Sequence, residues 1–202
     1  MLYRTKLSGK LALAMALLLV VLGLGTSCTR SAEKKDELPI LGQIAEFTLR
    51  DQNDQPFGTE QLKGRIWVAD FFFTNCPGPC PRMSTLMKDI QQQTKDLDNL
   101  RIVSFTVDPQ RDSPDAMKAY GERYGAIDGR WFFLTGEMED LHRLASQDFK
   151  LFDVDGSLQH STRFALVDGQ GQIRGFYTTG EDGSYARIPE DARKLADSAV
   201  KL

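Results

Sequence analysis

The sequence predicts one α/β domain built on a central mixed sheet with helices on both faces. Three observations point there. Strand-like and helix-like segments alternate along most of the chain. Two of the strand-like segments, "IWVADFFF" (66–73) and "RIVSFTV" (101–107), are apolar almost throughout, the pattern of strands covered on both sides. The stretch "RFALVDGQGQIRGFYT" (163–178) reads as two strands around the turn "DGQG", which adds an antiparallel pair.

Taken in order, "IAEFTL" (44–49) is rich in β-branched and aromatic residues and is expected as a first strand, with 66–73 as the second. Met83, Leu86, Met87 and Ile90 then recur at helical spacing, which predicts an amphipathic helix over 82–96 with the two methionines as core residues. After the strand at 101–107, Ser113 can cap a helix whose first position suits Pro114. "WFFL" (131–134) is a short strand, and residues 137–149 predict a helix with Met138, Leu141, Leu144 and Ala145 facing inward. The hairpin follows, and "IPEDARKLADSAVKL" closes the chain as a helix.

The N-terminus has a different character. A basic start is followed by the apolar run "LALAMALLLVVLGLG" and then "TSC", the layout of a secretory signal. Ending in small residues and Cys28, it resembles a bacterial lipoprotein signal, although Gly25 stands where such signals prefer leucine. Residues 1–28 are therefore read as a signal or anchor, with lipid attachment at Cys28, an uncleaved membrane anchor and simple cleavage as the alternatives. All three place the folded part outside the cytoplasm, where disulfides persist. Residues 29–38, "TRSAEKKDEL", read as a flexible tether, and 39–202 as the domain.

Composition excludes one class of partner. The 202-residue chain has a formal net charge of −3. Of its 25 basic residues, Arg4, Lys6 and Lys10 lie in the signal, leaving 22 against 28 acidic ones, or −6. No basic patch is available to hold a phosphate backbone, so nucleic acid is not an expected partner.

The chemistry concentrates in "FFFTNCPGPCPRM" (71–83), which holds Cys76 and Cys80. Pro77, Pro79 and Pro81 keep their predecessors out of the α region, and "CPGP" is a good turn. Pro81 suits the first position of the next helix, which makes Cys80 its expected N-cap. The helix dipole there is expected to favour thiolate and lower the pKa of both cysteines. The pair can serve as a structural cross-link, a redox switch or part of a soft-metal site. A metal at about 2.3 Å from each sulfur in trigonal array needs the sulfurs about 4 Å apart, a disulfide about 2 Å, and a three-residue spacer with Gly78 could serve both. A cross-link closing so short a loop would stabilise little. Two histidines are candidates for a further ligand. His142, in "EDLHRLA", reads as an exposed helix residue, whereas His160 sits in a turn-rich segment before a strand, and imidazole complements sulfur for copper or zinc.

Three segments in order, "FFFTNCPGPCPRM", "FTVDPQRDSPDAMKAYGERYG" and "QHSTRFALVDGQGQIRGFY", resemble the Sco/SenC family. These are membrane-tethered proteins of thioredoxin-like fold that bind copper and assist maturation of the dinuclear copper centre of cytochrome c oxidase. The resemblance covers roughly residues 39–200. It implies Cys76 and Cys80 as thiolate ligands and His160 as the imidazole ligand of Cu(I) or Cu(II). It also implies a copper-bearing oxidase subunit, or another copper carrier, as partner. Asp108 and Pro109 match the family's V-D-P, and the aspartate has two readings, an influence on the site or a loop cap, with the cap slightly preferred. Two departures stand out. Gln159 precedes the histidine where many members have aspartate, and Gly78-Pro79 lie between the cysteines where many carry an acidic or hydrophobic residue.

The rival reading is a client-specific thiol–disulfide reductase using Cys76 and Cys80 as its redox pair. Two features weigh against a general oxidoreductase: its motif spaces the cysteines by two residues, and a proline usually opens the strand facing them. "HSTRFALV" has no proline. A peroxidase explains the second cysteine and the histidine less well than a metal does.

Overall fold

In the computed structural model, which describes residues 37–150, 162–180 and 183–199, the strongest apolar segment forms the middle of the sheet. Residues Ile66–Phe72 (β4) are buried at all seven positions. The elements before it are β1 (Gly42–Gln43), β2 (Thr48–Arg50), β3 (Pro56–Gly58) and the short helix α1 (Thr59–Leu62). After it come α2 (Cys80–Gln93), β5 (Leu100–Thr106), α3 (Pro114–Tyr124), β6 (Trp131–Leu134) and α4 (Met138–Arg143). The hairpin strands β7 (Arg163–Val167) and β8 (Gln172–Thr178) and helix α5 (Ile188–Ala199) complete the described elements.

The six-stranded sheet has the order β1-β8-β7-β4-β5-β6, and β2 pairs with β3 apart from it. β4, β5 and β6 run parallel, because each pair is joined through a helix, while β7 lies antiparallel to both β4 and β8. The mixed sheet is thus as the sequence predicts. β-strand alternation sends Trp67, Ala69 and Phe71 to one face, where they meet Phe47, Leu49, Phe57, Leu141, Leu144 and Phe149. Val68 and Phe72 face the other side and pack with Met83, Met87 and Ile90 of α2, Met117 and Tyr120 of α3, and Ile188, Ala192 and Leu195 of α5. Met83 and Met87 are therefore core residues.

Several boundaries differ from the sequence reading, each for a physical reason. The segment 44–49 is strand only from Thr48, because its pairing partner is the short β3, which lacks a sequence signal of its own. The helix expected over 82–96 begins at Cys80 and ends at Gln93, since Thr94 turns its hydroxyl back onto the Ile90 carbonyl at 2.7 Å. The helix expected over 137–149 is α only to Arg143; Leu144–Asp148 form a π turn, and Phe149 donates its N–H to the Leu144 carbonyl. The wider turn seats Phe149 among Trp67, Phe71 and Phe105. Helix α3 matches closely: Ser113 Oγ accepts from Ala116 N–H, Pro114 opens the helix, and Gly125 ends it at φ 71°.

At the end of the sheet where β7 turns into β8, Asp168 holds the hairpin. Its Oδ1 accepts the N–H groups of Gln170 and Gln172, and its Oδ2 meets Arg174 Nη1 at 2.8 Å, with both side chains buried. The same guanidinium donates to the Leu38 and Pro39 carbonyls, anchoring the chain where the domain begins. No helix among the described residues is long and apolar enough to cross a membrane. The expected anchor (1–28, with Cys28) lies outside the described residues, as does most of the tether.

Candidate metal centre

The cysteine loop leaves the C-terminal end of β4 and enters α2. Cys76 N–H donates to the Phe73 carbonyl at 3.2 Å, closing a turn, and the prolines then carry the chain to Cys80. Cys80 is the first residue of α2, one step later than its expected N-cap position, which Pro79 takes. The cause is that Pro79 already has helical angles, φ −75° and ψ −22°, so the helix admits Cys80 and Pro81 in its first turn.

Both cysteines are unpaired thiols, Cys76 at 8% and Cys80 at 0% exposure. They lie together in the apolar layer with Met83, Met87 and Phe72. Here the structure corrects the expectation of a lowered Cys80 pKa. Burial pushes the Cys80 thiol well up, and a hydrogen bond with the Cys76 side chain adds to this; a backbone hydrogen bond with Phe73 opposes it without prevailing. The helix dipole acts on exposed groups for a few tenths of a kcal/mol to about 1 kcal/mol, less than the cost of desolvating a thiolate. The metal-free pair is therefore neutral at Cys80.

Beneath the loop lies a group that the sequence reading did not single out. Asp70, in the middle of β4, is 1% exposed and shares the face of Val68 and Phe72. Ser104 Oγ, opposite it on β5, donates to Asp70 Oδ1 at 2.5 Å and itself accepts from Trp131 Nε1 at 2.9 Å. Burial pushes the Asp70 carboxyl up to about 7, with the Ser104 hydrogen bond pulling back. A lone carboxylate inside an apolar strand was the available signal. The carboxylate of Asp70 is also one of the lesser influences raising the Cys80 thiol.

The other named residues divide plainly. Asp108 caps its loop: its carboxylate holds Arg111 Nε at 2.5 Å and its carbonyl accepts from Arg111 and Asp112 N–H groups. His142 is an exposed residue of α4. His160 lies outside the described residues. Among the described residues no group of three His, Cys, Asp or Glu side chains could hold a metal ion.

A mixed sheet whose central strand delivers a dithiol loop to a helix N-terminus defines a thioredoxin-like domain with a Cys-x-x-x-Cys site. The chain belongs to the SCO1/SenC family, whose model matches residues 39–197. It is 32% identical over 164 residues to the SCO1 protein homolog of Bacillus subtilis, covering 78% of this chain and 85% of that one. A Stutzerimonas stutzeri protein, named as a proposed copper-binding protein, is 39% identical over 146 residues, covering 68% and 70%. Among solved structures, a SCO1/SenC family lipoprotein from Bacillus anthracis superposes with a TM-score of 0.72 at 34% identity, covering 82% of this chain and 99% of that one. BsSco, described as a member of the Sco family of cytochrome c oxidase assembly proteins with a disulfide switch, superposes with a TM-score of 0.71 at 32% identity, covering 83% and 99%.

Proposed function

We propose that this chain is a copper-binding assembly factor, tethered on the outer face of the cell membrane, that carries copper for the dinuclear centre of cytochrome c oxidase. Copper is its cargo. The observation that carries the reading is the buried, unpaired pair Cys76 and Cys80 at the start of α2 in a SCO1/SenC chain. Two soft sulfurs suit Cu(I), and imidazole extends the set to Cu(II). His160 is assigned as that third donor from its place in the family pattern, ahead of β7. The relatives named for copper binding and oxidase assembly support the ligand and the client class. The lipoprotein relative supports attachment through Cys28.

The donor set fits a cation on chemical grounds. Neutral thiols can be buried cheaply, and a bound cation supplies the charge that lets them deprotonate. Loading therefore releases protons, and Cys80 gives one up at any ordinary pH.

The test is titration of the reduced full chain with copper, for the wild type and for Cys76→Ser, Cys80→Ser and His160→Ala. The expected result is one equivalent bound by the wild type, with each substitution weakening it at least tenfold. No one-equivalent binding, or binding indifferent to His160→Ala, defeats the assignment. The disulfide switch described for BsSco favours a second, compatible activity in which the pair exchanges disulfides with a client. Rapid exchange together with weak copper affinity would make that the main function.

A further inference from the structure

We propose that Asp112 is the positioning residue of the cysteine loop, a role that rests on the copper reading for its main readout. The last main-chain link between the neighbouring ends of β4 and β5 is Val107 N–H to the Phe72 carbonyl, at 2.9 Å. Past that point the two chains are joined by one buried carboxylate. Asp112 is 1% exposed. Its Oδ1 accepts from Thr74 Oγ1 at 2.5 Å, and both of its oxygens face Thr74 N–H at 3.2 Å. Its Oδ2 accepts from Thr106 Oγ1 at 2.5 Å, and Thr106 Oγ1 in turn accepts from Asp108 N–H at 2.9 Å.

Thr74 stands two residues before Cys76, whose own turn closes on Phe73. The carboxylate thus fixes the point from which the loop departs. Any change in sulfur spacing, between about 4 Å for a shared metal and about 2 Å for a disulfide, is then confined to residues 75–79. An amide offers only one acceptor oxygen: kept toward Thr74, it turns its NH2 to Thr106 Oγ1, whose own hydrogen then loses the carboxylate. Groups that hold a metal site's framework through hydrogen bonds typically change affinity by about 10- to 100-fold when removed.

The experiment compares reduced full chain carrying Thr74→Val, Asp112→Asn, Thr74→Ser or Ser113→Ala with the wild type. Cu(I) affinity is read by competition with a chromogenic chelator, and melting temperature is read alongside. Thr74→Val and Asp112→Asn are expected to weaken Cu(I) binding about tenfold. Thr74→Ser, which keeps both hydrogen bonds, is expected to restore wild-type affinity. Ser113→Ala removes the neighbouring helix cap and is expected to lower the melting temperature without moving the affinity. Folded Thr74→Val within twofold of wild type overturns the proposal, and so does an equal loss in Ser113→Ala. A second readout is the dithiol–disulfide equilibrium in glutathione buffer. There the two sulfurs give two electrons and two protons to one glutathione disulfide, forming the Cys76–Cys80 bond and two glutathione thiols. The same two variants are expected to shift that equilibrium severalfold, because the clamp sets the point from which the two sulfurs approach each other. Should the wild type bind no copper, the carrier reading fails by itself; the positioning role is then decided by whether that equilibrium moves.

Discussion

Replacing Asp70 by Asn is expected to stabilise the reduced, metal-free protein at neutral and alkaline pH and to leave it nearly unchanged near pH 4. The carboxyl is fully buried in β4 with its value raised from 3.8 to about 7, chiefly by desolvation. A carboxyl raised in the folded state favours folding fully below its unfolded value, and that contribution is lost as pH rises through the folded value. Between those limits the native state holds a proton that the unfolded chain has released. The interval is about 3 pH units, each worth about 1.4 kcal/mol, so the wild type forfeits about 4 kcal/mol by pH 8. Asn keeps an oxygen to accept from Ser104 Oγ and carries no charge, so it escapes that loss. For a domain of this size the difference in melting temperature should reach roughly 10 °C at pH 8 and shrink steadily toward pH 4. Calorimetry of both proteins from pH 4 to pH 8 under reducing conditions measures it. A difference that does not change with pH, or an Asn variant less stable at pH 8, would refute the assignment of desolvation as the dominant cause.

Copper loading should carry its own pH signature. Because burial holds Cys80 as a thiol, Cu(I) affinity is expected to rise at least about tenfold per pH unit from pH 6 to pH 9, and Cys80→Ser should flatten that slope in the same competition assay. Arg174→Met strands the Asp168 carboxylate in its buried niche, and denaturant unfolding should show a loss of about 3 to 5 kcal/mol, whereas breaking an exposed pair such as Lys194 with Glu190 should leave stability nearly unchanged. Phe149→Ala empties the space among Trp67, Phe71 and Phe105 and is expected to cost about 3 to 5 kcal/mol by the same measurement. Cys28→Ala should abolish incorporation of labelled fatty acid; incorporation that persists would place the lipid elsewhere.

Local pattern along the chain was enough to specify the layers of the fold. Periodicity is local, so the buried run at 66–73, the helical spacing of Met83, Leu86, Met87 and Ile90, and the "DGQG" turn each announce an element within a dozen residues. The nearness of Cys76 to Cys80 was legible for the same reason: they stand four positions apart on a loop with two prolines between them, and the two side chains share a hydrogen bond. What the sequence missed depends on neighbours brought from far along the chain. Asp70 is exceptional only because Ser104 and Trp131 close over it, and Asp112 matters only because β4 and β5 end side by side, setting Thr74 against it across 38 residues. The sign of the Cys80 pKa was likewise settled by tertiary packing. A helix terminus written in the sequence favours the thiolate, but the apolar layer assembled around the sulfur removes the water that would have solvated it, and desolvation outweighs the dipole.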